Sequence, residues 1–175
     1  MKWQLSHGDI LDVPADVLVC SANVFLALSG GVGGAFLLRY GDAMQAALNR
    51  YLTDRGLRSV GRGEVVEMPP CGSSYRAVLH AVAVDAFYNS SAEVVRSVID
   101  DSLRRAAARS ARRVALAAVG TGYGRLSMAE FARGLTPLLE RAYPPVEEVV
   151  LCLRSWPDAE ELAKLLPQLE WLGAR

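Results

Sequence analysis

The fold of this chain is organised around one stretch, ADVLVCSANVFLALSGGVGGA, which occupies residues 15–35. Its apolar run at residues 17–20 is typical of a β-strand buried on both faces. Asn23 follows, then a glycine-rich segment at residues 29–35, and a helical pattern opens after the glycines at Phe36. Such a strand, turn and helix N-terminus predict an anion site, because free backbone N–H groups and the helix dipole there favour negative charge.

The overall composition predicts one folded, soluble domain over residues 1–175. Of these residues 51% are hydrophobic, which is enough for a full core. Basic and acidic residues number 19 each, and this balance argues against a nucleic-acid-binding surface. No apolar run reaches the roughly 18 residues of a membrane span, and no signal sequence opens the chain. We therefore expect a cytoplasmic protein that does not contact membranes.

The three cysteines indicate neither a metal centre nor a disulfide framework. Cys20, Cys71 and Cys152 are scattered, and the first and last lie in apolar runs. Their spacing matches no zinc motif, and their odd number fits thiols of a reducing compartment. We interpret Cys20 and Cys152 as buried structural thiols, and we expect no metal and no cofactor.

Strand and helix patterns alternate along the chain. Apolar strand patterns occur at residues 3–6, 17–20, 64–68, 77–84, 114–119 and 149–153. Helical stripes separate most of them, and three segments resemble capping boxes: Asp42 with Gln45, residues 90–93, and Ser127 with Glu130. The alternation predicts an α/β fold, with a parallel or mixed sheet and helices on both faces.

Candidate binding residues gather at the carboxyl ends of the predicted strands. They are Asp9, Asn23 and two glycine loops, Gly30–Gly34 and Gly120–Gly124. Ligands of α/β sheets bind beyond these strand ends, so the four features are expected to face one cleft. Two such loops suit a diphosphate. The first loop is neither a Rossmann nor a P-loop motif. Neither loop contains lysine or arginine, so recognition would depend mainly on backbone N–H groups.

Each candidate also has a simpler structural interpretation. A glycine turn often serves only as a tight connection. Asp9 is either a turn or cap acceptor, or it accepts a hydrogen bond from an exocyclic amine such as that of adenine. Asn23 either ties its own loop together or contacts a ribose hydroxyl or a water. We interpret His80 as a satisfied core histidine and the arginines at 104–113 as a solvated helix face. Asp85, Phe87 and Tyr88 follow a strand end and could line the cleft, but we interpret them as a plain loop.

Taken together, these residues resemble a macrodomain. The resemblance extends from Gly8 to the last helix, and the family's spacing is kept without a gap from Gly8 to Val32. It rests on Gly8-Asp9-Ile10, residues 15–23, Gly30-Gly31-Val32, His80-Ala81-Val82 and Gly120-Thr121-Gly122. It implies a three-layer α/β/α sandwich that binds ADP-ribose, either free or attached to a protein or metabolite.

The resemblance also implies roles for the matching residues. Asp9 would accept a hydrogen bond from the adenine amino group, with the backbone of Ile10 alongside. Asn23 would lie by the distal ribose. Gly30, Gly31, Val32 and Gly33 would wrap the distal ribose and diphosphate from one side. The other side would be closed by Gly120, Thr121, Gly122, Tyr123 and Gly124.

Two departures from the family pattern bear on activity. Hydrolytic members of one branch place an Asp after the valine of the first loop to activate water, but here that position is Gly33. Members often stack an aromatic on adenine just past the last strand, where this chain has Arg154; a guanidinium can also stack on a purine. The sequence therefore favours binding. The alternative is hydrolysis of ADP-ribosylated proteins or O-acyl-ADP-ribose, with Asn23 as the candidate catalytic residue.

Overall fold

The computed structural model describes residues 1–173 and contains a seven-stranded sheet. The strands are β1 (Lys2–His7), β2 (Val17–Asn23), β3 (Val65–Met68), β4 (Ala77–Val84), β5 (Arg113–Ala117), β6 (Glu148–Leu153) and β7 (Glu170–Trp171). Their order across the sheet is β3-β4-β2-β5-β6-β1-β7. Only β3 and β4 pair antiparallel, and the other neighbours are parallel. The predicted mixed, largely parallel sheet is confirmed, although no sequence pattern predicts the short strand β7.

Helices cover both faces of this sheet. They are α1 (Gly31–Tyr40), α2 (Ala43–Asp54), α3 (Ala92–Ala108), α4 (Met128–Leu139) and α5 (Trp156–Leu165). Alternate side chains of each strand enter opposite cores. In β2, Val17 and Val19 pack with α3, α4 and α5, whereas Leu18 and Cys20 pack with α1 and α2. The result is the expected three-layer α/β/α sandwich.

Serine side chains cap the N-termini of three helices. Ser91, Ser127 and Ser155 each accept a hydrogen bond from the backbone N–H three residues further on. The cap predicted at Ser127 is confirmed, and the cap within residues 90–93 is Ser91. The capping box predicted for Asp42 and Gln45 is wrong. Asp42 makes no side-chain capping bond, and the Gln45 side chain contacts the loop that follows β2.

His80 is buried in β4, but the prediction that its ring is satisfied is wrong. The residue is only 2% exposed, and neither ring nitrogen has a hydrogen-bond partner among residues 1–173. Its in-register neighbours are Cys20 on β2 and Val66 on β3. Burial lowers the pKa of His80 to about 4, so the imidazole is neutral near pH 7.

The remaining predictions about cysteines and arginines agree with the structure. Cys20 and Cys152 are buried free thiols. Arginines at the end of α3 and just beyond it form ion pairs at the surface, among them Arg104 with Asp100 and Arg105 with Asp101. Among the helices described, none combines the length and the apolar character that crossing a bilayer requires.

Candidate ligand-binding cleft

A cleft of about 480 Å³ lies at the carboxyl ends of β2, β5 and β6. Its volume falls within the roughly 300–1,000 Å³ that is usual for small-molecule sites. The structure places all of the predicted binding residues around this cleft: Asp9, Ile10, Asn23, Gly30, Gly31, Val32, Gly33, Gly120, Thr121, Gly122, Tyr123, Gly124 and Arg154. Their individual roles toward a ligand stay predictions.

The first glycine loop forms the opening turn of α1. The sequence pattern predicts a helix that starts at Phe36, but α1 begins at Gly31 with Gly30 as its N-cap. Gly31 has a φ of +55°, a left-handed conformation that glycine adopts without steric cost. The backbone N–H groups of this turn are those that a helix leaves without an internal partner, and they carry the positive end of its dipole. The cleft wall is therefore suited to an anion.

Gly33, in the same turn, faces the preceding loop. A Cβ atom at this position would lie 3.0 Å from Leu28 Cδ2 and 3.1 Å from Leu28 Cα. Leu28 is itself buried, at 6% exposure. Any side chain at position 33 would therefore push against the loop that holds Leu28.

Tyr123 connects the two glycine loops across the cleft. A Cβ atom at Gly30 would lie 2.7 Å from Tyr123 Cε2 and 2.9 Å from its hydroxyl, so the ring can approach only a glycine there. The Tyr88 ring packs beside Tyr123, with 6.3 Å between centroids. The sequence pattern assigns Tyr88 to a plain loop, but it also lines the cleft. The second loop is anchored to β2, since Gly120 N–H donates to Ser21 Oγ at 3.2 Å.

Asn23 ties its own loop together. Its Oδ1 accepts from the backbone N–H of Phe25 at 3.0 Å and of Ala27 at 3.3 Å, and its Nδ2 donates to the Ala27 carbonyl at 3.1 Å. Gln45 of α2 holds the next part of the loop, accepting from Leu28 N–H at 2.8 Å and donating to the Leu26 carbonyl at 3.2 Å. Asn23 therefore makes the Asx-type hydrogen bonds that one of its two interpretations predicts, and it does so at the wall of the cleft.

The Asp9 carboxylate is also engaged by the protein. Its Oδ1 accepts from Leu11 N–H at 2.9 Å, and its Oδ2 accepts from Arg39 Nη2 at 3.0 Å. The capping role is thus real, yet an ionised carboxylate offers about four acceptor positions, and some are left for a ligand. The adjacent Ile10 carbonyl accepts from the buried Tyr75 hydroxyl at 3.3 Å, which holds this turn in place.

Two titratable residues that sequence reasoning missed also line the cleft. Asp158 lies in the first turn of α5, where its N–H donates to the cap residue Ser155. Its position just after the predicted strand 149–153 could have pointed to it. Burial raises the pKa of the Cys152 thiol to about 11, so this thiol is protonated near pH 7 and is a poor nucleophile.

A larger groove of about 780 Å³ lies beside the edge strand β3. Several of its charged side chains form ion pairs, as in Arg109 with Glu67 and Arg105 with Asp101. The strand-end cleft, with its helix N-terminus and backbone donors, is the better candidate site. No group of three or more His, Cys, Asp or Glu residues within the described chain is arranged to hold a metal ion.

The architecture is an α/β/α sandwich whose two glycine loops face one another at the strand ends, where ligands of such sheets bind. The sequence model of the Macro domain family matches residues 19–135, and the chain belongs to this family.

Relatives and solved structures agree with this assignment. The chain is 32% identical to a macro domain-containing protein of Streptomyces griseus, covering 83% of this chain and 84% of that protein. It is 33% identical to a Klebsiella pneumoniae protein named O-acetyl-ADP-ribose deacetylase, over 82% of this chain and 83% of that protein. The solved structure of an Oceanobacillus iheyensis macrodomain mutant with ADPR matches with a TM-score of 0.80 at 21% identity. The match covers 93% of this chain and 90% of that one. Some relatives are longer: the chain spans 44% of an uncharacterized Mycobacterium tuberculosis protein.

Proposed function

We propose that the cleft binds ADP-ribose, free or attached to a protein or metabolite. The observation that carries this proposal is the pair of glycine loops joined where Tyr123 meets Gly30, one of them opening α1. A diphosphate between these loops would meet backbone N–H groups and the helix dipole. Adenine would lie at Asp9 and Ile10 with Arg154 over its face, and the distal ribose by Asn23.

The comparisons support the same ligand. A structural neighbour from Oceanobacillus iheyensis is described with ADPR, and another from Trypanosoma brucei is described in complex with ADP-ribose. The free thiols fit a reducing cytoplasm, which we propose as the location, with ADP-ribosylated proteins as partners.

Calorimetry with ADP-ribose and with AMP tests the proposal. We expect both to bind, with AMP weaker because it lacks the second phosphate and the distal ribose. Asp9→Ala should weaken both by about 10- to 100-fold, since the adenine amino group would lose its acceptor. Asp42→Ala is the matched control, because this exposed carboxyl makes no capping bond. Absence of heat and of any thermal shift with millimolar ADP-ribose would contradict the proposal.

Hydrolysis is the second candidate function, favoured by the name of the Klebsiella pneumoniae relative. Three features of this cleft oppose it. Gly33 has no side chain, the polar atoms of Asn23 bind its own loop, and the Cys152 thiol is protonated. We expect slow or no release of ADP-ribose from acidic side chains, and of acetate from O-acetyl-ADP-ribose. Rapid wild-type turnover, abolished by Asn23→Ala while ADP-ribose still binds, would instead establish a hydrolase.

A further inference from the structure

Arg39 links helix α1 to Asp9 at the cleft. It lies in the last turn of α1, the helix whose first turn is the glycine loop. Its Nη2 lies 3.0 Å from Asp9 Oδ2, and its Nη1 lies 2.7 Å from Asp12 Oδ1. The Arg39 and Asp9 side chains are only 34% and 31% exposed, whereas Asp12 is 70% exposed. The Arg39–Asp9 pair is therefore the better shielded of the two.

The two oxygens of Asp9 are held from different directions. Leu11 N–H, in the short 3-10 turn at residues 10–12, donates to Oδ1, and Arg39 donates to Oδ2. Two points of attachment determine the orientation of the carboxylate plane, so its remaining acceptor positions are held in one direction. With Arg39 removed, only the bond from Leu11 would be left to oppose rotation of the side chain.

We propose that Arg39 is a positioning residue for base recognition. It holds the Asp9 carboxylate in the orientation that accepts a hydrogen bond from the 6-amino group of adenine. Arg39 does not itself line the cleft, so it acts through Asp9 and does not touch the ligand. This inference rests on the proposed function, and it adds the residue that holds Asp9 in the orientation that favours one purine.

A fixed carboxylate distinguishes adenine from hypoxanthine. Adenine presents an N–H donor at C6, whereas hypoxanthine presents a carbonyl oxygen that would face the carboxylate with like partial charge. The wild-type protein should therefore bind AMP more tightly than IMP. If the carboxylate is free to rotate, binding adenine must also order it, and this ordering costs free energy. The preference for AMP over IMP then falls.

Calorimetry of Arg39→Met with ADP-ribose, AMP and IMP tests this role. We expect ADP-ribose and AMP to bind about 5- to 10-fold more weakly, IMP to change little, and the ratio of AMP to IMP affinity to fall. Arg39→Lys should recover part of the preference, because an ammonium can still reach one carboxylate. Arg133→Met is the matched control, since it removes a part-exposed ion pair with Glu130 on α4, in the helical layer on the opposite face of the sheet from α1. It should leave all three affinities unchanged.

The possible results distinguish the positioning role of Arg39 from ADP-ribose binding itself. If the wild type binds ADP-ribose and Arg39→Met keeps the wild-type ratio of AMP to IMP affinity, the positioning role is wrong while the proposed function stands. Tighter AMP binding by Arg39→Met would also overturn it, by showing that Arg39 competes with the ligand for Asp9. A wild type that binds neither ADP-ribose nor AMP overturns both. In an Asp9→Ala background, Arg39→Met should cause no further fall in the ratio.

Discussion

Gly33 and Gly34 are adjacent residues of α1 with different surroundings. A Cβ atom at Gly33 would lie 3.0–3.3 Å from three atoms of Leu28, whereas one at Gly34 would meet only the Ser29 carbonyl carbon at 3.8 Å. Neither has a positive φ, so packing rather than backbone strain separates them. At the residue scale, the position where the sequence resemblance leads one to look for a water-activating Asp is crowded by a neighbouring leucine.

These surroundings predict opposite effects of alanine. Gly33→Ala should lower the free energy of unfolding by about 1–3 kcal/mol, because the added methyl overpacks Leu28. Gly34→Ala should raise it by about 0.5–1 kcal/mol, because alanine loses less backbone entropy in a helix. Urea unfolding of both variants provides the measurement. An equal change in the free energy of unfolding for the two variants would show that Leu28 moves to accommodate the methyl group. For the same reason, Gly33→Asp is expected to perturb this loop without adding hydrolysis.

His80 predicts a pH dependence of stability. Its pKa is lowered to about 4 by burial, below the roughly 6.5 of an unfolded histidine. Between these values the unfolded chain binds a proton that the folded chain does not, so stability falls as the pH decreases. His80 should contribute a loss of about 2 kcal/mol between pH 7.5 and pH 5. Urea unfolding at both pH values should show a smaller loss for His80→Leu and His80→Gln than for the wild type; an equal loss would contradict this account.

At the scale of elements, α1 and α2 together shape the cleft wall. The first turn of α1 supplies the glycine loop, and Gln45 of α2 bonds to the backbone of Leu26 and Leu28 in the loop that leads into it. This loop is therefore held by side chains from outside as well as by Asn23 within it. Its order depends on how α2 packs against the sheet.

Gln45→Ala should loosen this loop. We expect faster hydrogen exchange at Leu28 N–H and weaker ADP-ribose binding by about 3- to 10-fold, because the loop would have to be ordered on binding. Arg50→Ala is the matched control. Arg50 is exposed on α2 and makes no bond to the loop among the hydrogen bonds described. Unchanged exchange at Leu28 in Gln45→Ala would contradict this role.

At the scale of the whole molecule, two helical layers share one sheet. Phe36 of α1 is 2% exposed in one core, and Phe131 of α4 is fully buried in the other. Every strand of the sheet's centre contributes side chains to both cores. The two layers should therefore unfold together.

Phe36→Ala and Phe131→Ala test this cooperativity. Each should lower the free energy of unfolding by about 3–5 kcal/mol, since each leaves a cavity in a filled core. Each should also keep a single transition, in which circular dichroism and tryptophan fluorescence coincide. Phe87→Ala, at an 80% exposed position, is the control and should change stability little. Separate transitions by the two probes would show that the layers are independent.

The sequence by itself determined most of the strands and helices and the main loops of the cleft. Buried strands such as β4, at Ala77–Val84, are readable because their apolar runs reflect burial on both faces. The glycine loops and Asp9 are readable because strand ends of an α/β sheet converge. Side-chain partners were decided only by the tertiary structure, because they depend on how a loop or helix lies against its neighbours. Leu28 against Gly33, Gln45 on the loop after β2, and Arg39 on Asp9 all depend on how α1 and α2 pack, which no local pattern encodes.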